Sequence, residues 1–328
     1  MLNKDLKLNQ NTFSETVEQK AARDGFGEAL VELGEINPNV VVLTADLSES
    51  TRVEAFAQKF SERFFEVGVA EQNMVAIAAG LAVSGKIPFA SSYSVFSPGK
   101  NLETIRTTIA YNKANVKIAG HHAGILTGPD GATHQATEDV AIMRTLPGMA
   151  IFSPCDAIEA KKMTLEAAKI DGPVYLRFSR EKTPIITTIE TPFDNKIQTF
   201  WEAEKPKAVI FATGYLVYHA LLTAKSLEEF GTEVLVANIS TIKPVDEETV
   251  VSLAEQTGAV VTVEDHQIAG GLGGLIAEVL GRKRPTPIEF VGLKDTFGES
   301  GRPLELIKKY QLDEKAISSA VKRVILRS

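Results

Sequence analysis

Short, fully apolar runs alternate with helical stretches along most of this chain. Residues 40–45 (VVVLTA) follow a helical stretch at 23–33, and residues 208–212 precede one at 215–230. Runs that are apolar at every position, rather than at alternate positions, are typical of strands buried on both faces. The alternation predicts an α/β fold built on mainly parallel sheets with helices on both faces.

The chain is long enough for two such units. It has 328 residues, 44% of them hydrophobic, which suffices for two domains with separate cores. Residues 191–205 carry Thr, Pro and polar residues without helical or strand periodicity, and we interpret them as a linker. We therefore predict two doubly wound domains, at 1–190 and 206–328.

Composition excludes several classes of function. The net charge of -7 argues against a surface devoted to nucleic acid or anionic membranes. Cys155 is the only cysteine, so no disulfide can form within the chain. No apolar stretch approaches the length of a membrane span, and the polar N-terminus has no signal-peptide core. These features predict a cytoplasmic protein.

Histidines are concentrated in one glycine-rich loop, HHAGILTGPDGATHQ. It holds His121, His122, Asp130 and His134, and it follows a predicted strand at 116–119. In open α/β sheets, ligands bind beyond the carboxyl ends of strands. Three interpretations remain: a surface loop with incidental histidines, a zinc site with no common ligand spacing, or donors and acceptors for a polyhydroxylated or phosphorylated substrate.

Glu71 stands where a strand-like run at 64–68 meets a helical stretch of small residues at 71–83. It is either a helix N-terminal acid, favoured by the macrodipole, or a functional carboxylate. The small residues of the helix would suit a subunit interface. GGLGG at 270–274 also opens a predicted helix, but it matches neither a Rossmann fingerprint nor a P-loop. We interpret it as a point of close helix packing.

Two arginines stand next to predicted elements. Arg180 follows a predicted strand at 174–178, and Arg23 precedes the first long helix. Either could be a solvated surface charge. If they converge, they would form a fork for phosphate or carboxylate.

Together these motifs resemble the transketolase family. VGVAEQNM, HHAGILTGPDGATHQ, LPGMAIFSPCDAIEA, YLRFSRE and EDHQIAGGLGG are similar to segments of its pyrimidine-binding and C-terminal domains, and DTFGESGRP resembles the split transketolases of prokaryotes. The resemblance runs from about Arg23 to the last helix. It implies a thiamine-diphosphate enzyme of the pentose phosphate pathway type, which transfers a two-carbon ketol unit from a ketose phosphate to an aldose phosphate.

The resemblance implies roles toward the cofactor. Glu71 matches the glutamate that hydrogen-bonds the aminopyrimidine ring of thiamine diphosphate. Tyr93 and Phe96 match aromatic residues of the pyrimidine pocket. A third aromatic position of the family falls near Gly99, where this sequence departs from the pattern.

It also implies roles toward the substrate. His134 matches a histidine close to the reacting carbonyl oxygen, which makes it catalytic together with Glu71. Asp130 matches the acid that recognises a substrate hydroxyl. The positions that match the sugar-phosphate group are Arg23, Ser50, His122 and Arg180.

One family motif is missing from this sequence. It contains no GDG followed by an Asn-containing metal segment. The resemblance therefore implies that an N-terminal transketolase subunit carrying GDG supplies the ligands for the diphosphate and for a divalent metal, Mg or Ca. This chain would hold no metal ligand itself, and the two subunits would form a heterotetramer.

Three alternatives stay open. A 1-deoxyxylulose-5-phosphate synthase shares the DGATHQ type of motif but usually has Arg at the position of His122. The beta-type subunit of a 2-oxoacid dehydrogenase has the same two domains but lacks the loop with His122, Asp130 and His134. A non-catalytic assembly subunit would not need Glu71, Asp130 and His134 together.

Overall fold

The computed structural model describes residues 1–328, which are divided between two main sheets. The first part of the chain contains strands β1 (Gln19–Ala21), β2 (Val40–Thr44), β3 (Phe64–Glu66), β4 (Ile87–Tyr93), β5 (Lys117–His121), β6 (Ala150–Phe152), β7 (Val174–Arg177) and β8 (Lys182–Pro184). Its helices are α1 (Ala22–Ile36), α2 (Glu54–Lys59), α3 (Glu71–Val83), α4 (Leu102–Thr104), α5 (Asp139–Arg144) and α6 (Ala157–Ala167). Helix α4 continues as a π-helical segment, Ile105–Ala110.

The second part repeats the alternation. Its strands are β9 (Gln198–Trp201), β10 (Val209–Ala212), β11 (Leu235–Asn238), β12 (Thr241–Lys243), β13 (Val260–Gln267) and β14 (Ile288–Leu293). Its helices are α7 (Leu216–Glu229), α8 (Glu247–Thr257), α9 (Leu272–Lys283), α10 (Pro303–Lys309) and α11 (Glu314–Ile325). None of the helices is both long and apolar enough to cross a membrane.

Both main sheets are parallel except at one edge. The first has the order β12-β6-β7-β5-β4-β2-β3, with only β12 antiparallel to its neighbour. The second has the order β14-β13-β10-β11-β9, with only β9 antiparallel. Strands β2 and β10 are buried at every position. The predicted α/β fold with two mainly parallel sheets is confirmed.

Helix α1 shows how the sequence positions an element against the first sheet. Phe26, Leu30 and Leu33 repeat at helical spacing and are buried on the sheet side. Gly25 lies on the face that meets α6, where an added Cβ would be 1.9 Å from the carbonyl oxygen of Ala157. Only glycine permits this approach of the two helices, and the N-terminus of α1 is thereby fixed at the edge of the site described below.

The structure corrects the predicted linker and the predicted division of the chain. The stretch 191–205 contains β9, which pairs with β11 in the second sheet. The N-terminal segment packs on the second domain, where Leu8 joins the buried core and the backbone amide of Asn3 donates to the carbonyl of Phe200. Conversely, β12 belongs by sequence to the second domain but extends the first sheet.

Candidate functional site

The aromatic side chains of the site lie at the carboxyl ends of β4 and β5. Tyr93 is the last residue of β4 and is paired in register with His121, the last residue of β5. His122 follows with a left-handed backbone, at φ 54°. This turn places the His122 ring flat against Tyr93, with 3.8 Å between ring centroids and 24° between planes. Adjacent parallel strands therefore bring together residues that are far apart in sequence.

Two further rings complete what we call the aromatic pocket: Tyr93, Phe96, His122 and His134. Phe96 lies roughly parallel to Tyr93, with centroids 5.9 Å apart. His134 meets Phe96 edge-on at 5.4 Å and Tyr93 edge-on at 6.2 Å. Its Nδ1 lies 2.9 Å from the hydroxyl oxygen of Thr133, which leaves Nε2 for another group. Four of the predicted site residues thus meet at one strand edge.

Buried His122 is held in its neutral form. Burial, with the charges of Arg23 and Arg180 next in importance, lowers its pKa to about 3. Its Nδ1 has no hydrogen-bond partner in the chain, although the atom is buried. A buried polar atom without a partner is uncommon and indicates a place for a ligand or water. His122 therefore offers a donor or acceptor but no charge.

His121, its neighbour in sequence, has a different environment. It is completely buried between Phe26 and Phe178, with ring centroids 5.0 Å away in each case. Its Nε2 lies 3.1 Å from the hydroxyl oxygen of Ser91. Burial holds the pKa of His121 well below its usual range. Strand β5 ends at His121, and the left-handed backbone of His122 turns the next ring onto Tyr93. Only one histidine of the pair therefore faces the pocket.

Glu71 begins α3 with a buried side chain, 2% exposed. Its Oε2 accepts a hydrogen bond of 2.9 Å from Nζ of Lys100, whose side chain is half exposed. The amide of Asn101 donates to the backbone carbonyl of Glu71 and to the hydroxyl of Ser97. The turn that carries Phe96 is thereby tied to the start of α3. Neither Lys100 nor Asn101 stands in a motif that would have singled it out from the sequence.

A cationic cleft of about 880 Å³ lies beside the aromatic pocket, between the two domains. Arg23 enters it from the start of α1 and donates from Nη1 to the carbonyl oxygen of Ser50, 2.9 Å away. Arg180 enters it from beyond β7 and donates to the carbonyl of Thr127 at 2.8 Å. Burial, then the charge of Arg52, lowers the pKa of Arg23. The two arginines, expected to form a fork if they converged, do line one cleft.

Asp130 is not among the residues that line the cationic cleft. It ends a short 3₁₀ turn, Ile125–Asp130, and its exposed carboxylate makes no hydrogen bond or ion pair. It stands four residues before His134 in the same loop.

The cleft also has residues that the sequence did not single out: Arg52 from the first domain, and Tyr215 and His219 from the start of the second. No group of three or more His, Cys, Asp or Glu side chains is arranged to hold a metal ion.

Comparison with known proteins identifies the two domains. Residues 18–185 match the transketolase pyrimidine-binding domain, and residues 200–317 match the transketolase C-terminal domain. The chain belongs to the transketolase family. Both matches agree with the family resemblance of the sequence motifs.

Several relatives of this transketolase-family chain match it over nearly their whole length. A putative transketolase C-terminal section from Methanocaldococcus jannaschii is 45% identical over 92% of this chain and 95% of its own. A 6-deoxy-6-sulfo-D-fructose transketolase subunit from Clostridium sp. is 38% identical over 96% and 98%. An apulose-4-phosphate transketolase subunit from Phocaeicola vulgatus is 36% identical over 90% and 95%.

The fold has relatives in the same family. A solved structure described as a split gene transketolase, an inactive beta4 tetramer, superposes with a TM-score of 0.87 at 45% identity, over 93% of this chain and 98% of that one. A transketolase from Campylobacter jejuni shares the fold at 23% identity, with a TM-score of 0.81, but this chain spans only 50% of it.

Proposed function

We propose that this chain is one subunit of a split, thiamine-diphosphate-dependent transketolase. It would hold the pyrimidine end of the cofactor and the anionic end of the sugar. The observation that carries this proposal is the stacked aromatic pocket together with its two neighbours. Asn101 ties the turn of Phe96 to the buried Glu71. Arg23 and Arg180 of the cationic cleft are close enough to His122 to lower its pKa. A flat heteroaromatic ring and an anionic sugar need these two environments next to each other.

The residues present fit the pyrimidine ring of the cofactor. Tyr93 and Phe96 offer aromatic faces, and Glu71 is a buried carboxylate whose Oε1 accepts no hydrogen bond within the chain. A half-exposed lysine is its only charged partner, so a ligand donor can reach it from outside. The bound cofactor would supply the carbon nucleophile of ketol transfer. Glu71 would accept a hydrogen bond from the pyrimidine ring and would thereby control the protonation of that ring.

On the substrate side, each group has a task that its chemistry suits. His134, with Nε2 free, would donate a hydrogen bond to the reacting carbonyl oxygen or move a proton there. Asp130 would accept a hydrogen bond from a sugar hydroxyl. Arg23 and Arg180, with neutral His122 and the loop at Ser50, would bind the anionic end by charge-assisted hydrogen bonds.

The diphosphate and the divalent metal, Mg or Ca, would be held by a partner subunit that carries GDG. Helix α3 supports an interface, since its outer face includes exposed Gly80 and Val83 and is preceded by exposed Val69. An added Cβ at Gly80 would meet nothing within 4 Å, so a second helix can approach this face closely. A heterotetramer with two copies of each subunit would place Glu71 beside the partner's half of the cofactor.

Co-purification tests the proposal. The chain is expressed with a candidate N-terminal subunit, supplied with thiamine diphosphate and Mg or Ca, and assayed for transfer from xylulose 5-phosphate to ribose 5-phosphate. We expect transfer by the complex and none by either subunit alone. Transfer by the highly purified single chain would contradict the split active site. A complex that forms but transfers no ketol unit would contradict the reaction.

The names of two relatives refer to sugars with different anionic groups. One refers to a sulfonated ketose and another to a sugar phosphate. The shared task would be ketol transfer, and the anion at the end of the sugar would differ between enzymes. The cationic cleft is the part of this chain that would make the distinction.

A further inference from the structure

Arg52 is a third arginine of the cationic cleft, and its backbone is held in an unusual conformation. It has a left-handed φ of 63°, which costs a non-glycine residue free energy and persists only where the surroundings impose it. The imposed contact is with α1. An added Cβ at Gly27 would lie 2.6 Å from the carbonyl oxygen of Arg52 and 2.9 Å from its Cβ. The loop after Ser50 is therefore pressed against α1 at a fixed place.

Hydrogen bonds also fix the orientation of the Arg52 side chain. Its Nε donates to Oδ1 of Asp24 at 2.7 Å, and its Nη1 donates to the carbonyl of Glu49 at 3.1 Å. Asp24 is itself held, since its Oδ2 accepts from the backbone amide of Ala21 at 3.3 Å. Nη2 makes no hydrogen bond within the chain. A guanidinium with two positions fixed and one free is prepared for a further anion.

Charges in the cleft are unbalanced. Five cationic side chains, Arg23, Arg52, Arg180, Lys182 and Arg302, line it. Three carboxylates, Asp24, Glu181 and Glu305, line it as well, which leaves a net charge of +2 with histidine outside the count. Glu305 lies 3.7 Å from Arg302 at the exposed rim, and Glu181 lies 3.7 Å from Arg180. The inner part, around Arg23 and Arg52, has Asp24 as its one carboxylate.

The positive charge of Arg52 also acts on a residue of the aromatic pocket, His122. After burial, Arg52 contributes to the low pKa of Arg23 and, behind Arg23, Arg180 and His134, to that of His122. Because the pKa of His122 is about 3, this histidine adds no positive charge near neutral pH. Arginines therefore set the charge that a substrate meets there.

We propose that Arg52, aimed by Asp24, is a specificity-determining residue that makes this site prefer a sugar ending in a phosphate monoester dianion over one ending in a singly charged or neutral group. The inference rests on the proposed function and names its substrate class. The Coulomb energy with each fixed cation scales with the charge of the ligand. A cleft with a net charge of +2 is thus matched by a dianion and left half compensated by a monoanion.

The test uses the assembled enzyme with hydroxypyruvate as a constant, unphosphorylated donor. Ribose 5-phosphate and ribose serve as acceptors, so only the end of the acceptor changes. Arg52→Gln should lower kcat/KM for ribose 5-phosphate by about 5- to 20-fold and for ribose by less than about 2-fold. Arg282→Gln is the matched control, since this exposed arginine lies outside the cleft and pairs with Glu247 as Arg52 pairs with Asp24. It should lower neither by more than about 2-fold.

A pH series distinguishes charge recognition from structural damage. The second pKa of a phosphate monoester is about 6. For the wild type, the ratio of kcat/KM for ribose 5-phosphate to that for ribose should fall as the pH decreases through this value. Arg52→Gln should flatten this fall, and Arg52→Lys should restore most of it. An unchanged ratio in Arg52→Gln, or equal losses on both acceptors, would overturn the proposal.

A binding measurement separates this inference from the proposed function. The dissociation constants of ribose 5-phosphate and ribose 5-sulfate are measured by calorimetry on the same complexes. The wild type should bind the phosphate more tightly, and Arg52→Gln should reduce this preference. If the preference depends on Arg52 but no ketol unit is transferred, the proposed reaction is wrong and the Arg52 assignment stands. If transfer occurs and Arg52→Gln leaves the preference for the phosphate unchanged, the Arg52 assignment is wrong and the proposed reaction stands.

Discussion

Two buried carboxylates begin helices in the first domain, and they differ in what faces them. Glu71, at the start of α3, has one charged partner, the half-exposed Lys100. Asp139, at the start of α5, accepts from Nε of Arg177 at 2.9 Å and from the hydroxyl of Tyr175 at 2.7 Å, and all three side chains are buried. The first carboxylate is open to a ligand, whereas the second is enclosed by its own chain.

The enclosed pair joins the two domains. Arg177 also donates from Nη2 to the carbonyl of Asp265 in β13, at 2.7 Å. Burial is the largest single effect and would raise the pKa of Asp139. The charge and hydrogen bond of Arg177, together with smaller contributions from His266 and Tyr175, outweigh it and hold that pKa below its usual range. Removing one member of such a pair leaves an uncompensated buried charge. Similar residue types therefore stand in opposite situations: Glu71 is accessible to the cofactor that we propose, whereas Asp139 helps to hold the two domains together.

The largest expected effect is at the open carboxylate. Glu71→Gln keeps the shape but cannot take the same part in proton sharing, so turnover of the assembled enzyme should fall by about 10²–10⁴. Because the ion pair with Lys100 is partly exposed, the free energy of unfolding should change by less than about 1 kcal/mol. Steady-state kinetics and urea denaturation measure the two quantities. Near-normal turnover would rule out the role of Glu71 in catalysis.

The enclosed carboxylate should respond in the opposite way. Arg177→Met leaves Asp139 buried and unpaired, and the free energy of unfolding should fall by about 3–5 kcal/mol. Urea denaturation with Arg177→Met and with the double variant Arg177→Met, Asp139→Leu measures this loss. The double variant removes the unpaired charge and should recover part of it. Equal stability of the single variant and the wild type would show that the pair is not needed for assembly.

A third buried carboxylate, Glu159, extends the comparison because no cation pairs with it. Its oxygens accept from the amide of Cys155 at 2.7 Å and from Asn238 at 2.8 Å, across the domain boundary. Burial, with the charge of Asp156 second, raises its pKa to about 7. The fold therefore favours the protonated form. Its contribution to stability is full below the unfolded pKa of about 4.5 and is lost as the pH rises through about 7.

Glu159→Gln is neutral at every pH and should remove this loss. Its free energy of unfolding relative to the wild type should rise by about 2–3 kcal/mol between pH 5 and pH 8. Denaturation curves at several pH values measure the difference. The Asn238 amide can flip so that its buried Oδ1, which has no partner, accepts from the introduced side chain. A difference that does not depend on pH would contradict the raised pKa of Glu159.

The smallest expected effect concerns Arg180, which lies three residues after Arg177. Arg180→Ala should lower kcat/KM for a phosphorylated sugar by about 10- to 150-fold, the range for a lost charge-assisted hydrogen bond. The loss should be much smaller for hydroxypyruvate, and the urea midpoint should stay near that of the wild type. Kinetics with both substrates make the comparison. Equal losses on the two would mean that Arg180, like Arg177, supports the structure.

Much of the site could be predicted from local sequence. The apolar runs at 40–45 and 208–212 predicted buried parallel strands, and the glycine-rich loop with His122 and His134 was expected at the end of a strand. The central strand β4 was missed because Pro88, Ser91 and Ser92 interrupt its apolar pattern, although its interior is fully buried. The strand β9 was missed because its four residues stand among polar ones in 191–205.

By itself the sequence determined the fold class, the family and the loop that we propose to bind substrate, because periodicity and motifs are local properties of the chain. Only the tertiary structure decided which of two adjacent histidines faces the pocket and which of two nearby arginines is enclosed. It also brought Arg52 into the cleft and β12 into the first sheet. These outcomes depend on which strands become neighbours and on burial by distant segments. The physical environment of a side chain is set by residues that its own sequence neighbourhood does not contain.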